Sequence, residues 1–539
     1  MIQSVPFTSV PGFSRLFCDF LAGNEALLRR FPANVATNSA ILHQRAEQFS
    51  GRESLPAAIR ATMSGLPLSA AQQRSLEILG SGNGLAIVTG QQVGFLGGAT
   101  YTVLKLVSAV RLAEHFTASH TGLDFAPVFW VEDNDNDTDE AAETTILSAH
   151  GEPMRISCAE GETHGMPVSE LRFGRGITAV LEEIRAALPQ SENAANLLQM
   201  LEEIYRPGVG WTDAFVRLLN TEFAETGVVF LAASELRRRG LGADILRREA
   251  QQAGETATLM DAASNQLLAD GYHAQARGSE INLFYHRPDG RRVKIHASDA
   301  DYSTGESRWT SKELRRELEV NPERFSPNVA LRPLVQDSVV PTACYVGGPG
   351  EIAYLAQLSE VYQAFGVAMP AVAARHSATI LTPAAARFLA KSGQNPAYFF
   401  RPWNEIDRDL AAAVRPAGFD DAISGIENGL RSAFGELTRV AAAADSTLVG
   451  ATEAALNNAL KSVEVVQKKA VAALKRKNEA DFAKVKIAAN LILPAGGLQE
   501  RTFATFWWRG LAPAAVFHSV LGQITGLPVA KHYFFPLFP

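Results

Sequence analysis

Residues 84–133 carry the pattern that most restricts what this chain can fold into. GLAIVTG is a short apolar, β-branched run closed by glycine. A glycine-rich turn follows, then TYTVLKLVSAVRLAEHF with apolar residues at helical spacing, then a second strand-like run, FAPVFWVED. Strand, turn, helix and strand within about 45 residues make a βαβ unit, whose two strands lie parallel with a right-handed crossover. The expected fold is therefore α/β, with a Rossmann-like, doubly wound parallel sheet at its core. In such sheets ligands bind outside the carboxyl ends of the strands, where the chain turns into helices. QQVGFLGG and EDNDNDTDE sit at two such ends.

A chain of 539 residues exceeds what one hydrophobic core serves, so further units are expected around this one. Residues 1–80 read as a helical lead-in packed on the core, with Ser69 placed to cap the helix after it. Residues 81–160 form the first part of the core. Residues 161–335 are a connecting insertion with further core elements, including a hairpin around Asp289-Gly290. VVPTACYVGG supplies another buried strand in the second core part, 336–420, followed by a helix over EIAYLAQLSEVYQAFG and a third turn at MPAVAARHSATIL. Residues 421–490 hold no proline and only four glycines. Ile423, Ile426, Leu430, Phe434, Leu437 and Val440 recur there at spacings of three and four, and Leu456, Leu460, Val463, Ala470, Leu474 and Phe482 do the same beyond Asp445-Ser446-Thr447. That is an antiparallel helical hairpin with a packed seam and a solvated lysine-rich face. Residues 491–539 return to the core. No repeat or low-complexity segment is present.

Composition narrows the function. A net charge of −7, with 47% hydrophobic and 20% charged residues, fits neither a disordered chain nor a polyanion binder, so no nucleic-acid partner is expected. Cys18, Cys158 and Cys344 stand far apart with no CxxC pair, which suggests neither a zinc site nor a disulfide framework and fits a reducing compartment. The N-terminus lacks the basic start and apolar run of a signal peptide, and no long uncharged apolar stretch follows. A cytoplasmic protein without a membrane anchor is expected.

Three constellations can carry chemistry. In TGQQVGFLGGATYTVLK, Gly90, Gly94, Gly97 and Gly98 permit positive φ and close backbone approach, ahead of a helix N-terminus suited to an anion. Gln91 and Gln92 add neutral donors and acceptors. The run is neither a Walker A loop nor a GxGxxG fingerprint, so a plain tight turn is an equal reading. In WVEDNDNDTDE, Glu132, Asp133, Asp135, Asp137 and Asp139 repel one another unless a cation, an amine or solvent compensates. Oxygen ligands at this density suit Mg²⁺ carried with nucleotide phosphates, or an ammonium group, and no protein-held metal is assigned. Glu132 and Asp133, nearest the strand end, are the functional candidates, whereas Asp137 and Asp139 read as solvated. In VGGPGEIAYLAQ and AARHSAT, Glu351 opens a helix, Arg375 offers two parallel bonds to a carboxylate or phosphate, and His376 titrates near neutrality. Cys344 reads as a buried, inert thiol.

The order of these motifs is distinctive: TGQQxGxxGGxxYTxxK, PVFWVxED, FSPNVALRPLVQD, GGPGEIAYLAQ, MPAVAARHSATIL, a long helical pair and LPAGGLQERTF. Over nearly the whole chain it resembles the BshC family, assigned to the last step of bacillithiol synthesis. The resemblance implies a cysteine ligase that joins the carboxyl of cysteine to the amine of glucosaminyl-malate. It also implies a nucleotidyltransferase-like core with connecting insertions and a coiled coil that forms a homodimer. Glu132, Asp133, Asp135 and Glu351 would be catalytic. Gly90, Gln91, Gln92, Gly94, Gly97, Gly98, Tyr101, Lys105, Trp130, Gly347, Gly348, Tyr354, Arg375, His376 and Ser377 would bind substrate or nucleotide. ATP with Mg²⁺ is the expected source of activation, because an amide does not form in water from an unactivated carboxylate. A nucleotide-binding or nucleotidyltransferase protein without ligase activity is the alternative. Two positions depart from the family pattern: Asn134 stands where a histidine is typical, and Val93 where proline is common.

Overall fold

The structure is a computed structural model, and it describes residues 2–32, 34–161, 163, 165–298 and 301–538. It contains two compact units, residues 1–383 with 497–539, and residues 384–496.

The first unit is built on a five-stranded, all-parallel sheet. Its strands are β1 (Gly84–Gln92), β2 (Asp124–Glu132), β3 (Val229–Ala232), β4 (Thr342–Gly347) and β5 (Ala371–Ala374). They lie in the order β5-β4-β1-β2-β3. The chain runs outward from β1 through β2 to β3, then returns to the other side of β1 as β4 and β5, so the order reverses between β1 and β4. Helix α1 (Tyr101–Ser119) makes the first crossover. Its Ala109, Ala113 and Phe116 pack with Leu85 and Ile87 of β1 and Phe125 of β2, which explains why β1 and β2 are continuous apolar runs: a parallel sheet is covered on both faces. The register pairs Gly90 with Trp130 and Gln92 with Glu132, and Val346 with Ala373, so the carboxyl ends of the central strands finish level.

The lead-in is helical, with the segments Arg15–Leu21, Ser39–Gln48, Ser54–Thr62 and Ala70–Gly80 among others. Ser69 caps the last of these in a capping box with Gln72. The hairpin around Asp289-Gly290 joins strands Leu283–His286 and Arg292–Lys294. The run EIAYLAQLSEVYQAFG differs from its expected single helix. It forms α2 (Pro349–Leu355) and a second helix, Ser359–Phe365, because buried Gln357 turns between them to accept from the amides of Gln275 and Ala276 and to donate to Ser264 Oγ. The run MPAVAARHSATIL is two strands in two sheets. Beyond β5, Ser377–Leu381 pairs in parallel with Lys531–Pro536, which pairs antiparallel with Gln3–Pro6. Arg375 and His376 form the step between the sheets.

The second unit holds the antiparallel helices α3 (Phe419–Ala444) and α4 (Val449–Lys477), followed by Glu479–Ile492. Residues 384–420 were expected with the Rossmann-like core and cluster here instead. Within this unit helix Trp403–Ala413 buries Ile406, and its Asp407 pairs with Lys475 at 2.6 Å. The seam is narrower than expected. Ile423, Leu430 and Phe434 are half-buried, but Ile426, Leu437 and Val440 are 51%, 48% and 55% exposed, because at 3.6 residues per turn they drift onto the neighbouring face. Among the described residues, no helix is long and apolar enough to cross a membrane.

Candidate active site

A cavity of about 770 Å³ opens at the carboxyl ends of the central strands, where their order reverses. Gly90, Gln91 and Gln92 end β1 and form its floor, beside Trp130 and Glu132 at the end of β2 and Gly348 and Glu351 at the start of α2. Tyr101 and Lys105 enter from the first turns of α1, Asp135 from the loop after β2, Tyr354 from α2, and Arg375 from the step after β5.

Lys105 organises this floor. Its side chain is 4% exposed, and its ammonium donates to the Gly90 carbonyl at 2.8 Å and to Gln91 Oε1 at 2.9 Å, and meets Glu351 Oε2 at 2.6 Å. Gln91 passes the interaction on to the Tyr101 hydroxyl at 2.8 Å. Glu351 also accepts from the Tyr345 hydroxyl at 2.5 Å and the Gly348 amide at 2.8 Å. Burial pushes the Glu351 carboxyl up, but Lys105, the Gly348 amide and the Tyr345 hydroxyl outweigh it and hold the group below the usual carboxylate range. A carboxylate that is ionised and fully engaged is an anchor, and a poor proton acceptor.

Glu132 differs. It accepts one bond from Trp130 Nε1 at 3.0 Å, and burial pushes its carboxyl above the usual range against the pull of Trp130, Arg332 and Arg292. Asp135 accepts from Gln92 Nε2 at 2.6 Å and lies 3.5 Å from Arg292.

Seven of the expected residues do not line the cavity. Asp133 is buried behind it, accepting from the Ser234 amide and hydroxyl at 2.8 and 2.6 Å and from Thr212 at 3.2 Å. Gly94, Gly97 and Gly98 form a packed corner. A Cβ on Gly97, at φ 80°, would meet the Phe506 ring at 2.8 Å, and one on Gly94 would meet Gly98 at 2.8 Å. Their freedom serves close packing, not a phosphate cradle. A Cβ on Gly347 would meet the Glu351 side chain at 3.2 Å. His376 sits between Ser108 Oγ at 2.8 Å and the Leu527 carbonyl at 3.0 Å, and burial pushes its imidazole down. Ser377 bonds Glu500 and His532, each at 2.8 Å. Asn134, in place of the family histidine, accepts from Arg237 at 2.9 Å. Asp137 caps the short helix Thr138–Ala142. The Cys344 thiol is buried and pushed up to about 12.

The structure adds residues absent from the sequence-based set. Arg292, from the Asp289-Gly290 hairpin, lies 3.7 Å over the Phe284 ring and donates to the Pro327 carbonyl at 3.0 Å. Arg332 donates to the Tyr354 hydroxyl at 2.8 Å and to Gln336 at 3.0 Å. Asn328, Tyr345, Glu140 and Arg501 complete the wall. Arg332 and Arg501 lie inside FSPNVALRPLVQD and LPAGGLQERTF, so their motifs were the available signal. Five basic groups thus face four carboxylates in one crevice. Such a lining suits an anionic substrate, and Glu132 is the carboxylate there that burial holds above the usual range. Among the described residues, no group of three or more His, Cys, Asp or Glu is arranged to hold a metal ion.

Comparison with known proteins gives concordant results. The family model described as bacillithiol biosynthesis BshC, N-terminal Rossmann-like domain, matches residues 1–376. The model of the BshC C-terminal coiled-coil domain matches residues 378–509. Relatives that carry the name "Putative cysteine ligase BshC" include one from Chlorobaculum tepidum, 31% identical over 523 residues that cover 93% of this chain and 92% of its own. Another, from Salinibacter ruber, is 31% identical over 509 residues and 93% of each chain. A third, from Koribacter versatilis, is 31% identical over 506 residues, 92% of this chain and 93% of its own.

Proposed function

The chain belongs to the BshC family of bacillithiol biosynthesis, and from that premise we propose that it is a ligase joining the carboxyl of cysteine to the amine of glucosaminyl-malate. The carrying observation is the crevice itself: a half-buried carboxylate, Glu132, which desolvation pushes above the usual range, in a lining that also holds Arg292, Arg332, Arg375 and Arg501. Amide formation needs an activated acyl group. ATP, entering with its own Mg²⁺, would supply it as a co-substrate: a cysteine carboxylate oxygen takes the γ-phosphoryl group, the bond from that phosphorus to the β-phosphate oxygen breaks, and ADP leaves with that oxygen. The amine nitrogen then attacks the acyl carbon, and the phosphate leaves with the former carboxylate oxygen. The amine proton passes to Glu132. Arg375 holds a carboxylate or phosphoryl oxygen of a substrate, and Gln91, Gln92 and Asp135 orient the sugar hydroxyls and amine. The reaction belongs in the cytoplasm, where thiols stay reduced.

Deleting the gene in its host and complementing with wild type or with Glu132→Ala plus Gln91→Ala tests this reading, with low-molecular-weight thiols measured by mass spectrometry. Glucosaminyl-malate is expected to accumulate, and the cysteinyl product to vanish, in the deletion and the double variant alike. Unchanged thiols on deletion overturn the ligase reading and leave a nucleotide-binding protein without ligase activity.

The homodimer is part of the same proposal. Ile426, Leu437 and Val440 on α3, and Val465 and Val466 on α4, expose apolar surface along a hairpin whose own seam is already closed. Sedimentation of the full chain is expected to give a dimer. Ile426→Lys combined with Leu437→Lys and Val440→Lys should give a folded monomer; a wild-type monomer at micromolar concentration sinks the assignment.

A further inference from the structure

The motif LQERTF contributes more to the cavity than Arg501. Glu500 is wholly buried, and both of its oxygens are engaged on the segment that carries Arg375. Oε1 accepts from Arg375 Nη2 at 2.7 Å, and Oε2 from the Ser377 hydroxyl at 2.8 Å and the Ala378 amide at 2.9 Å. Arg375 spends Nη1 on the His376 carbonyl at 2.8 Å, and its side chain is 2% exposed. Its Nε–H has no partner among the described residues. A Cβ placed on Gly348 would lie 3.4 Å from that nitrogen, and both residues line the cavity. A buried guanidinium N–H left unpaired calls for an explanation, and an acceptor that arrives with the ligand supplies one.

We propose that Glu500 is a positioning residue that fixes the Arg375 guanidinium so that Nε–H alone faces Gly348 and takes one anionic oxygen of a substrate, from a carboxylate or a phosphoryl group. Glu351 Oε2 lies on the same side of Gly348, 3.5 Å from the same Cβ position. Without the Glu500 charge, Glu351 is a carboxylate on the same side of Gly348 that Arg375 can turn to, and the pairing of Glu351 with Lys105 would then be disturbed. Glu500 therefore keeps the two basic groups on separate carboxylates. That the oxygen belongs to a ligase substrate rests on the function proposed above; the geometry of the donor does not.

Calorimetric titration of the full chain decides this, with glucosaminyl-malate, L-cysteine and ATP with Mg²⁺ each offered alone to wild type, Glu500→Gln, Arg375→Ala and the double variant. One of the three is expected to bind about 10- to 100-fold more weakly in Glu500→Gln, as the loss of one charge-assisted bond implies. The double variant should bind no more weakly than Arg375→Ala. Loss confined to glucosaminyl-malate or cysteine identifies a carboxylate, and loss confined to ATP a phosphoryl group. Arg375→Lys keeps a cation for Glu500 but has no Nε–H, and should bind as weakly as Arg375→Ala; wild-type affinity there overturns the proposal even if Glu500→Gln fails to fold. Unchanged affinity in Glu500→Gln, losses that add in the double variant, or a wild type that binds none of the three also overturn it. Absence of a cysteinyl product with wild type removes the ligase reading alone, because the titrations still read the donor.

Discussion

Lys105→Met is expected to abolish turnover and to destabilise the first unit by about 3–5 kcal/mol, the range found when one partner of a buried ion pair is removed. Methionine nearly matches the lysine in length and suits the burial, so packing is largely kept and the charge is what changes. Glu351 then sits in the interior without its counter-ion, and the Gly90 carbonyl and Gln91 Oε1 lose their donor. The linkage has a definite sign. The Glu351 carboxyl is held below its ordinary value in the folded chain, so its stabilisation is present above the ordinary carboxylate range and lost as pH falls through the depressed value. Removing Lys105 raises that value, and acid unfolding of the variant should begin at higher pH. Adding Glu351→Gln to Lys105→Met should restore part of the stability and none of the turnover, because the floor that holds Gln91 is still lost. Denaturant midpoints and turnover of both variants provide the measurement; wild-type stability in the single variant would show that the pair is not what holds the floor.

Part of this site was legible in the residues and part was not, for identifiable reasons. The βαβ unit declared itself through a change of hydrophobic period between 84 and 133, and the ends of its strands located the floor of the crevice. Glu132 and Asp133 were read together because both close the same strand. Trp130 and Glu132 share one face, however, and Asp133 turns to the other, toward Ser234 and Thr212. Strand alternation carried that signal. For Gly94, Gly97 and Gly98 the residues disclose a freedom without saying what approaches. At Gly97 the approach comes from Phe506, about 400 positions away, and no local pattern contains it. Arg292 was hidden for the same reason: it reaches the cavity from a distant segment, and an arginine at a strand start looks like ordinary surface until its neighbours are known, whereas Arg332 and Arg501 were marked only by the motifs that contain them. In the helical hairpin the period was right and the phase drifted, which moved Ile426, Leu437 and Val440 off the seam.

Glu132→Gln should lower kcat by about 10²- to 10⁴-fold, the usual contribution of a positioned general base, while leaving substrate affinity nearly intact. The amide has almost the same shape and can still accept from Trp130 Nε1, so the cavity wall is preserved. What it cannot do is take the amine proton. The pH dependence separates this from a packing defect. A base must be ionised to act, so wild-type kcat/KM should rise with pH through the Glu132 value, which burial places above the usual carboxylate range. In the variant that acid limb should disappear from the residual rate. Stability should move the opposite way to activity. Because the folded chain favours the protonated form of Glu132, ionising it at neutral pH works against folding. Glu132→Gln is therefore expected to be more stable than wild type near neutrality, with the difference vanishing as pH falls below the ordinary carboxylate value. A variant that is slower and less stable, with its acid limb intact, would assign Glu132 to packing and leave the amine proton without an acceptor at this position. A variant that is slower yet more stable identifies a carboxylate kept in an unfavourable place for its chemistry, as the strand end beneath Arg292 and Arg332 suggests.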